Sequence, residues 1–331
     1  MSTIKRTGNR TRFKIVVRKN SRNLVLLGLI IIIATIFSLL NPIFLTLQSF
    51  MNMVNAIAVV SIAAIGMSLA ILTGGIDLSV GSNLGLSATC AALVVTTTGN
   101  PFLGFLTAII VASVIGLFNG LMAGKLKVSI IVLTLGMLGI ARSLSRVLSN
   151  SFAIKVKNDV FNWLGGGYIK TSTARIPISL FIIILIFLLF YFLLNNTIFG
   201  RKLTAIGANV SASKVAGLSV DRNIVIIYLL IGVLIGIASI IDVGRISSAT
   251  PQSGVGLEFD AITAVVLGGA SLRGGKLDIK GTFLGVLLVG IVINGLALLN
   301  VFVYSVLVIK GGLLFLAVLT NNIVEKFQPD Y

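Results

Sequence analysis

Three acidic residues stand inside strongly apolar runs, and they are the groups best placed to do chemistry. Asp77 follows the glycine pair Gly74-Gly75 in ILTGGIDLSVGS (71–82), while Glu258 and Asp260 open the apolar part of GVGLEFDAITAVVLGG (254–269). Glycine breaks expose backbone groups that can line a polar path, along which such acids could bind hydroxyl groups or pair with Arg142 or Arg146. Helix caps and buried ion pairs are the structural alternatives. Gly74, Gly75, Asp77, Glu258 and Asp260 are the candidates for a polar path.

Other chemistries lack their residues. The chain has no histidine, which excludes His-rich metal sites and Ser-His or Cys-His nucleophiles, so no catalytic residue and no metal ligand is assigned. The glycine-rich run GGASLRGGKLD (268–278) is not a phosphate-binding loop, because Leu277 stands where Ser or Thr would hold magnesium and Ala270 where the first glycine belongs. Any ATP used must be bound by another subunit. The single cysteine, Cys90, sits in an apolar stretch and reads as a packed small residue.

The elements that must position these groups follow from composition. Of 331 residues, 56% are hydrophobic and 11% charged, and the mean hydropathy is +1.10. A soluble domain carries roughly one-quarter charged residues and could not hide so much apolar surface. Runs long enough to cross about 30 Å of hydrocarbon recur throughout. The expectation is an all-α polytopic transmembrane bundle of about ten spans, near 24–40, 50–72, 78–98, 102–123, 128–147, 176–194, 224–241, 259–270, 281–299 and 302–320. The eighth is too short to cross unaided and reads as a broken or re-entrant element. Because the first apolar run ends in Leu39-Leu40-Asn41-Pro42, without a small-residue cleavage site, an uncleaved span is expected rather than a signal peptide.

The net charge of +17 belongs to orientation rather than to nucleic-acid binding, since the basic residues cluster between apolar runs. With the N-terminus inside, cytoplasmic segments hold eighteen Lys and Arg and external segments five. Arg142, Arg146 and Lys310 remain at membrane depth or its edge. Both termini are thus expected in the cytoplasm, with a basic segment 1–23, a membrane domain 24–320 and a tail 321–331. Trp163 and Tyr168, in the external segment 149–175, read as interfacial anchors. Glycines at 116/120/124, 232/236 and 281/285 have the small-xxx-small spacing that lets helices approach closely in lipid.

The cytoplasmic segment 195–223 is expected to hold a short helix, capped by Asn209 and ended near Ala216 by Gly217 in a left-handed conformation. Ala205, Ala208, Ala212 and Ala216 would give it a small apolar face, which either packs under the bundle or docks on a partner.

Five runs together carry a family resemblance: ILTGGIDLSVGS (71–82), GLFNGLMAGKLKV (116–128), VLTLGMLGIAR (132–142), FGRKLTAIGANVSASKVAGLSV (199–220) and 256–299. In this order they resemble the permease subunits of ribose, xylose, arabinose and galactose-type sugar ABC importers, over nearly the whole chain after residue 24. The resemblance implies a multi-pass protein of the bacterial cytoplasmic membrane, working as a homodimer with a cytoplasmic ATP-binding cassette protein and an extracytoplasmic sugar-binding protein. It would pass a monosaccharide inward by alternating access, with ATP on the partner subunit and no enzyme activity or cofactor of its own. It also implies that Asn209, Ala212, Ser213, Lys214, Val215 and Gly217 form a coupling helix seated on the ATPase. The rival from residue physics alone is an ion-coupled secondary transporter of a small polar solute.

Overall fold

The computed structural model describes residues 4–327, with side chains over 22–302, 304–319 and 321. The basic residues before Arg22, Lys326 and the end of the tail therefore lie outside the described side chains. The elements are helices α1 (Ile4–Leu40), α2 (Leu47–Ala56), α3 (Ala58–Leu72), α4 (Val80–Thr98), α5 (Pro101–Gly124) and α6 (Ile130–Leu148), the short strand β1 (Ile154–Lys155), α7 (Asp159–Gly166), and strands β2 (Tyr168–Lys170) and β3 (Arg175–Pro177). There follow α8 (Ile178–Asn196), α9 (Ile198–Ala208), α10 (Val210–Val215), α11 (Val220–Ile246), strand β4 (Ser248–Ala249), α12 (Leu257–Leu267), α13 (Ile279–Leu298) and α14 (Val303–Phe327).

The protein is a helical membrane bundle. Among the described residues, seven helices are long and apolar enough to cross a membrane, and α2 with α3 makes an eighth span bent by 49°. A helix stands at each of the ten expected positions, but α12, at 11 residues, measures about 16 Å and spans only half the hydrocarbon. The apolar part of α14, Tyr304–Leu319, also falls short. The α2–α3 bend was not foreseen. It lies beside Asn55, whose amide donates to the Tyr168 hydroxyl at 3.0 Å and accepts from Ser179 at 2.8 Å. Tyr168 is therefore bound to the bundle, while Trp163 remains exposed.

Every residue of α3 is buried, as suits a helix apolar on all sides. Around it stand α11, α12, α13 and α8. The tightest crossing joins α5 to α11, and the expected glycine spacing explains it. A Cβ on Gly116 would lie 2.2 Å from the Tyr228 carbonyl oxygen, and one on Gly232 would lie 2.5 Å from that of Ala112. Gly120 faces Val225 and Gly236 faces Ile109 in the same way. Backbones this close leave room for no side chain. Gly281 and Gly285 bring α13 equally near to Gly268 and to Ala264 of α12.

Two small antiparallel ladders form outside the helices. β1 pairs with β4, Ile154 opposite Ala249, and β2 pairs with β3. The first ladder clips the 149–175 segment to the chain leaving α11, just before that chain turns inward.

Candidate functional site

Between β4 and α12 the chain is non-helical from Thr250 to Gly256, and it lies against the candidate spans α4 and α6. Arg142 stands twelve residues into α6, about 18 Å from its start. Its guanidinium donates to the carbonyls of Pro251 and Ser253, both at 2.7 Å. On the other side Gly81 and Gly85 of α4 form a shelf: a Cβ on Gly81 would meet the Gly254 oxygen at 2.1 Å, and one on Gly85 the Ser253 oxygen at 2.9 Å. Gly254 and Gly256 both have positive φ, 72° and 80°, which the sharp turn into α12 requires. Irregular backbone within a membrane survives only when protein satisfies its polar groups. Here Arg142 does so. Arg142→Leu should therefore lower stability by roughly 3 kcal/mol, the loss of two charge-assisted bonds, read as a lower unfolding midpoint of the purified protein.

The two acids of α12 point to different neighbours because they are two residues apart on a helix. Glu258 is buried against α4, its Oε2 placed 2.4 Å from where a Gly81 Cβ would be. That oxygen has no hydrogen-bond partner among the described residues, although it lies in the attractive field of Arg142. Asp260 turns towards α14 and accepts from Lys310 Nζ at 2.7 Å. Neither expected arginine is its partner: Arg142 holds the loop carbonyls, and Arg146 is exposed.

Asp77 occupies the buried turn between α3 and α4, where one oxygen accepts from the Ser79 amide at 2.8 Å and the Ser79 hydroxyl at 2.6 Å. Ser79 in turn accepts from Asn119 of α5 at 3.1 Å. This is an Asx-turn that leads into α4, whose own N-cap, Ser79, makes no side-chain cap hydrogen bond. Of the two glycines that precede Asp77, Gly75 lies under the Tyr228 hydroxyl, 2.9 Å from where a Cβ would be, and Gly74 joins a different assembly. Gly275 donates to the Leu72 carbonyl at 2.9 Å, and a Cβ on Gly207 of α9 would sit 1.8 Å from the Leu72 oxygen and 2.5 Å from the Gly275 nitrogen. Gly274 lies equally close to Gly74 and to the Gly207 oxygen. Two turns and the C-terminal end of α9 thus meet backbone to backbone.

Beyond that joint Asn209 is extended, φ −160°, and its side chain accepts from the Ala212 amide at 2.9 Å, capping α10. Gly217 has φ +79° and ends the segment as expected. Ala205 and Ala208 belong to α9, however, so the expected continuous alanine face is divided between two helices by Asn209. Of the candidate residues here, Ser213 is buried, whereas Ala212 and Lys214 are exposed and Val215 is 91% exposed.

Residue reasoning missed the Gly81/Gly85 shelf and the loop-fastening role of Arg142. The four-residue glycine spacing in VGSNLG and the repeated glycines of GVG were the available signals.

No solved structure matches this chain. It is 38% identical over 301 residues to the ribose import permease protein RbsC of Escherichia coli strain K12, covering 90% of this chain and 92% of that protein. It is 40% identical over 298 residues to the ribose import permease protein RbsC of Bacillus subtilis strain 168, covering 89% and 91%. To the L-arabinose ABC transporter permease protein AraH of Azospirillum brasilense it is 33% identical, covering 89% and 87%. Residues 49–318 match the model of the family described as branched-chain amino acid transport system / permease component. With a helical membrane bundle and a match across most of its length, the chain belongs to that family of transport-system permease components.

Proposed function

We propose that this chain is the membrane-spanning subunit of an ABC importer that passes a monosaccharide into the cytoplasm. The observation that carries this reading is the unbroken similarity, over nine-tenths of the chain, to ribose import permeases. The L-arabinose permease supports a sugar rather than the amino acid of the family's description. Both termini face the cytoplasm, the basic segment 1–23 and the tail flank the membrane domain, and two copies enclose the path. A separate cassette protein hydrolyses ATP, and an external sugar-binding protein delivers the substrate.

In mechanism, α10 docks on the cassette through Ala212, Lys214 and Val215, with Asn209, Ser213 and Gly217 holding its shape. Movement of the cassette displaces α9 and, through Gly207, the turns at 72–75 and 273–275. Glu258 and Asp260 lie in the first turn of α12, where carboxylates can accept hydrogen bonds from the hydroxyls of a passing sugar. Asp77 holds the α3–α4 turn.

Ala212→Glu and Lys214→Glu place an acid on the docking helix. Both are expected to lower sugar uptake about tenfold, equivalent to about 1.4 kcal/mol of lost coupling, while the cassette still hydrolyses ATP. Full uptake in both variants would remove α10 from the coupling role. Membrane-buried charges at Glu258 and Asp260 also suit an ion-coupled carrier. Uptake driven by an ion gradient in vesicles lacking the cassette would establish that reading instead.

A further inference from the structure

An open groove of about 580 Å3 lies on the outer surface of the bundle between α8, α13 and Asn23 of α1. Its walls are Ile184, Leu188 and Tyr191 of α8 and Leu284 of α13. Its floor is the edge-to-face pair Phe187 and Phe283, with ring centroids 5.2 Å apart. Leu188 is 61% exposed and Ile184 43%, so the apolar wall is not covered by another part of the described chain. From Tyr191 to Ile184 the groove descends about 10 Å at 1.5 Å per residue, a third of the hydrocarbon thickness.

Charge at its mouth decides what could fill it. Lys280, in the first turn of α13, sits over the Tyr191 ring with Nζ 5.4 Å from the centroid, and it forms no ion pair among the described residues. The neighbouring acid is already engaged: Asp278 accepts from the Lys280 amide at 2.9 Å and from Asn23 at 2.7 Å. Lys280 therefore stands at the interfacial end of an apolar slot without an ion pair among the described residues, beside a carboxylate whose oxygens are already held by two other donors. A water-soluble ligand would find polar groups only on Asn23, Tyr191 and Lys280 and an otherwise apolar slot, whereas a hydrocarbon chain carrying an anionic head satisfies both ends. Basic pockets between membrane helices hold anionic headgroups in this way.

We propose that the groove binds one acyl chain of an anionic glycerophospholipid, with its phosphate on Lys280. The orientation proposed above serves only to name the leaflet, which is the cytoplasmic one.

The test uses the full chain reconstituted in vesicles with the same lipids in both leaflets, so its outcome does not depend on orientation. Trp163→Phe removes the native indole and Leu188→Trp places one on the groove wall. Phe118→Trp, an exposed position at similar depth on α5, is the control. Phosphatidylglycerol with brominated chains should quench the groove indole at about one-fifth the mole fraction that brominated phosphatidylcholine needs, the ratio expected for one cation at the membrane surface. Lys280→Gln should abolish that preference, Lys280→Arg should keep it, and the control should show none in any background. Equal quenching by both lipids, or a preference that survives Lys280→Gln, would overturn the proposal. So would the absence of quenching by either lipid, which would mean that a second copy of the chain covers the groove.

Discussion

Gly232→Leu is expected to leave almost no folded protein in the membrane. A side chain there would start 2.5 Å from the Ala112 oxygen and 2.8 Å from the Ser113 Cα. Overpacking a core of flexible side chains costs about 1–3 kcal/mol. Here the obstacle is backbone, so α5 and α11 must separate along their crossing and lose the contacts of Gly116, Gly120 and Gly236 as well. A loss above about 3 kcal/mol is a large fraction of the 5–15 kcal/mol that holds a typical fold. Gly136→Leu is the matched control, because a Cβ on Gly136 meets nothing within 4 Å. Membrane yield and the unfolding midpoint in detergent measure both. Normal accumulation of Gly232→Leu would refute the close crossing.

Lys310→Met should be nearly as damaging, for an electrostatic reason. It leaves Asp260 charged in a site where its only salt-bridge partner among the described residues has gone. Removing one member of a buried pair costs about 3–5 kcal/mol, whereas replacing both is often close to neutral. Asp260→Asn combined with Lys310→Met should therefore recover membrane yield. Sugar uptake should stay low in the double variant, since the acid at the start of α12 is assigned to the path. Recovery of both yield and uptake would reduce the pair to a structural role. Asp260→Asn alone should impair uptake more than assembly, because the amide can still accept from Lys310.

Much of the architecture was legible because lipid imposes a simple rule. A span must be apolar for about twenty residues, and the runs at 78–98, 102–123 and 176–194 correspond to α4, α5 and α8 within a few residues. The shortness of α12 and the close crossing at Gly116 and Gly232 were also visible, the first in length and the second in spacing. What stayed hidden depended on contacts distant in sequence. Nothing local to Asp260 points to Lys310, fifty residues on, and Arg142 and Arg146 stood as its expected partners. The loop carbonyls that claim Arg142 become its partners only once Thr250–Gly256 is seen to leave the helix. The bend at Ile57 likewise reflects Asn55 being held by Tyr168 and Ser179, more than a hundred residues away. At Asn209 the alanine repeat continued through a residue whose side chain preferred to start a new helix. Periodicity cannot see that choice; capping chemistry can.

The meeting of Gly207 with Leu72, Gly74, Gly274 and Gly275 has a mechanical meaning. Side chains at a contact can change rotamer and absorb a small shift, but peptide groups in direct contact have no such freedom. A push on α9 must therefore reappear at Leu72 and Gly275 with the same sign and almost the same size. These two points lie at the bases of different elements: the Asp77 turn with α4 above it, and the turn that carries α12. The shelf at Gly81 and Glu258 facing it would then be driven together by one stroke, and the joint would behave as a hinge pin with no play.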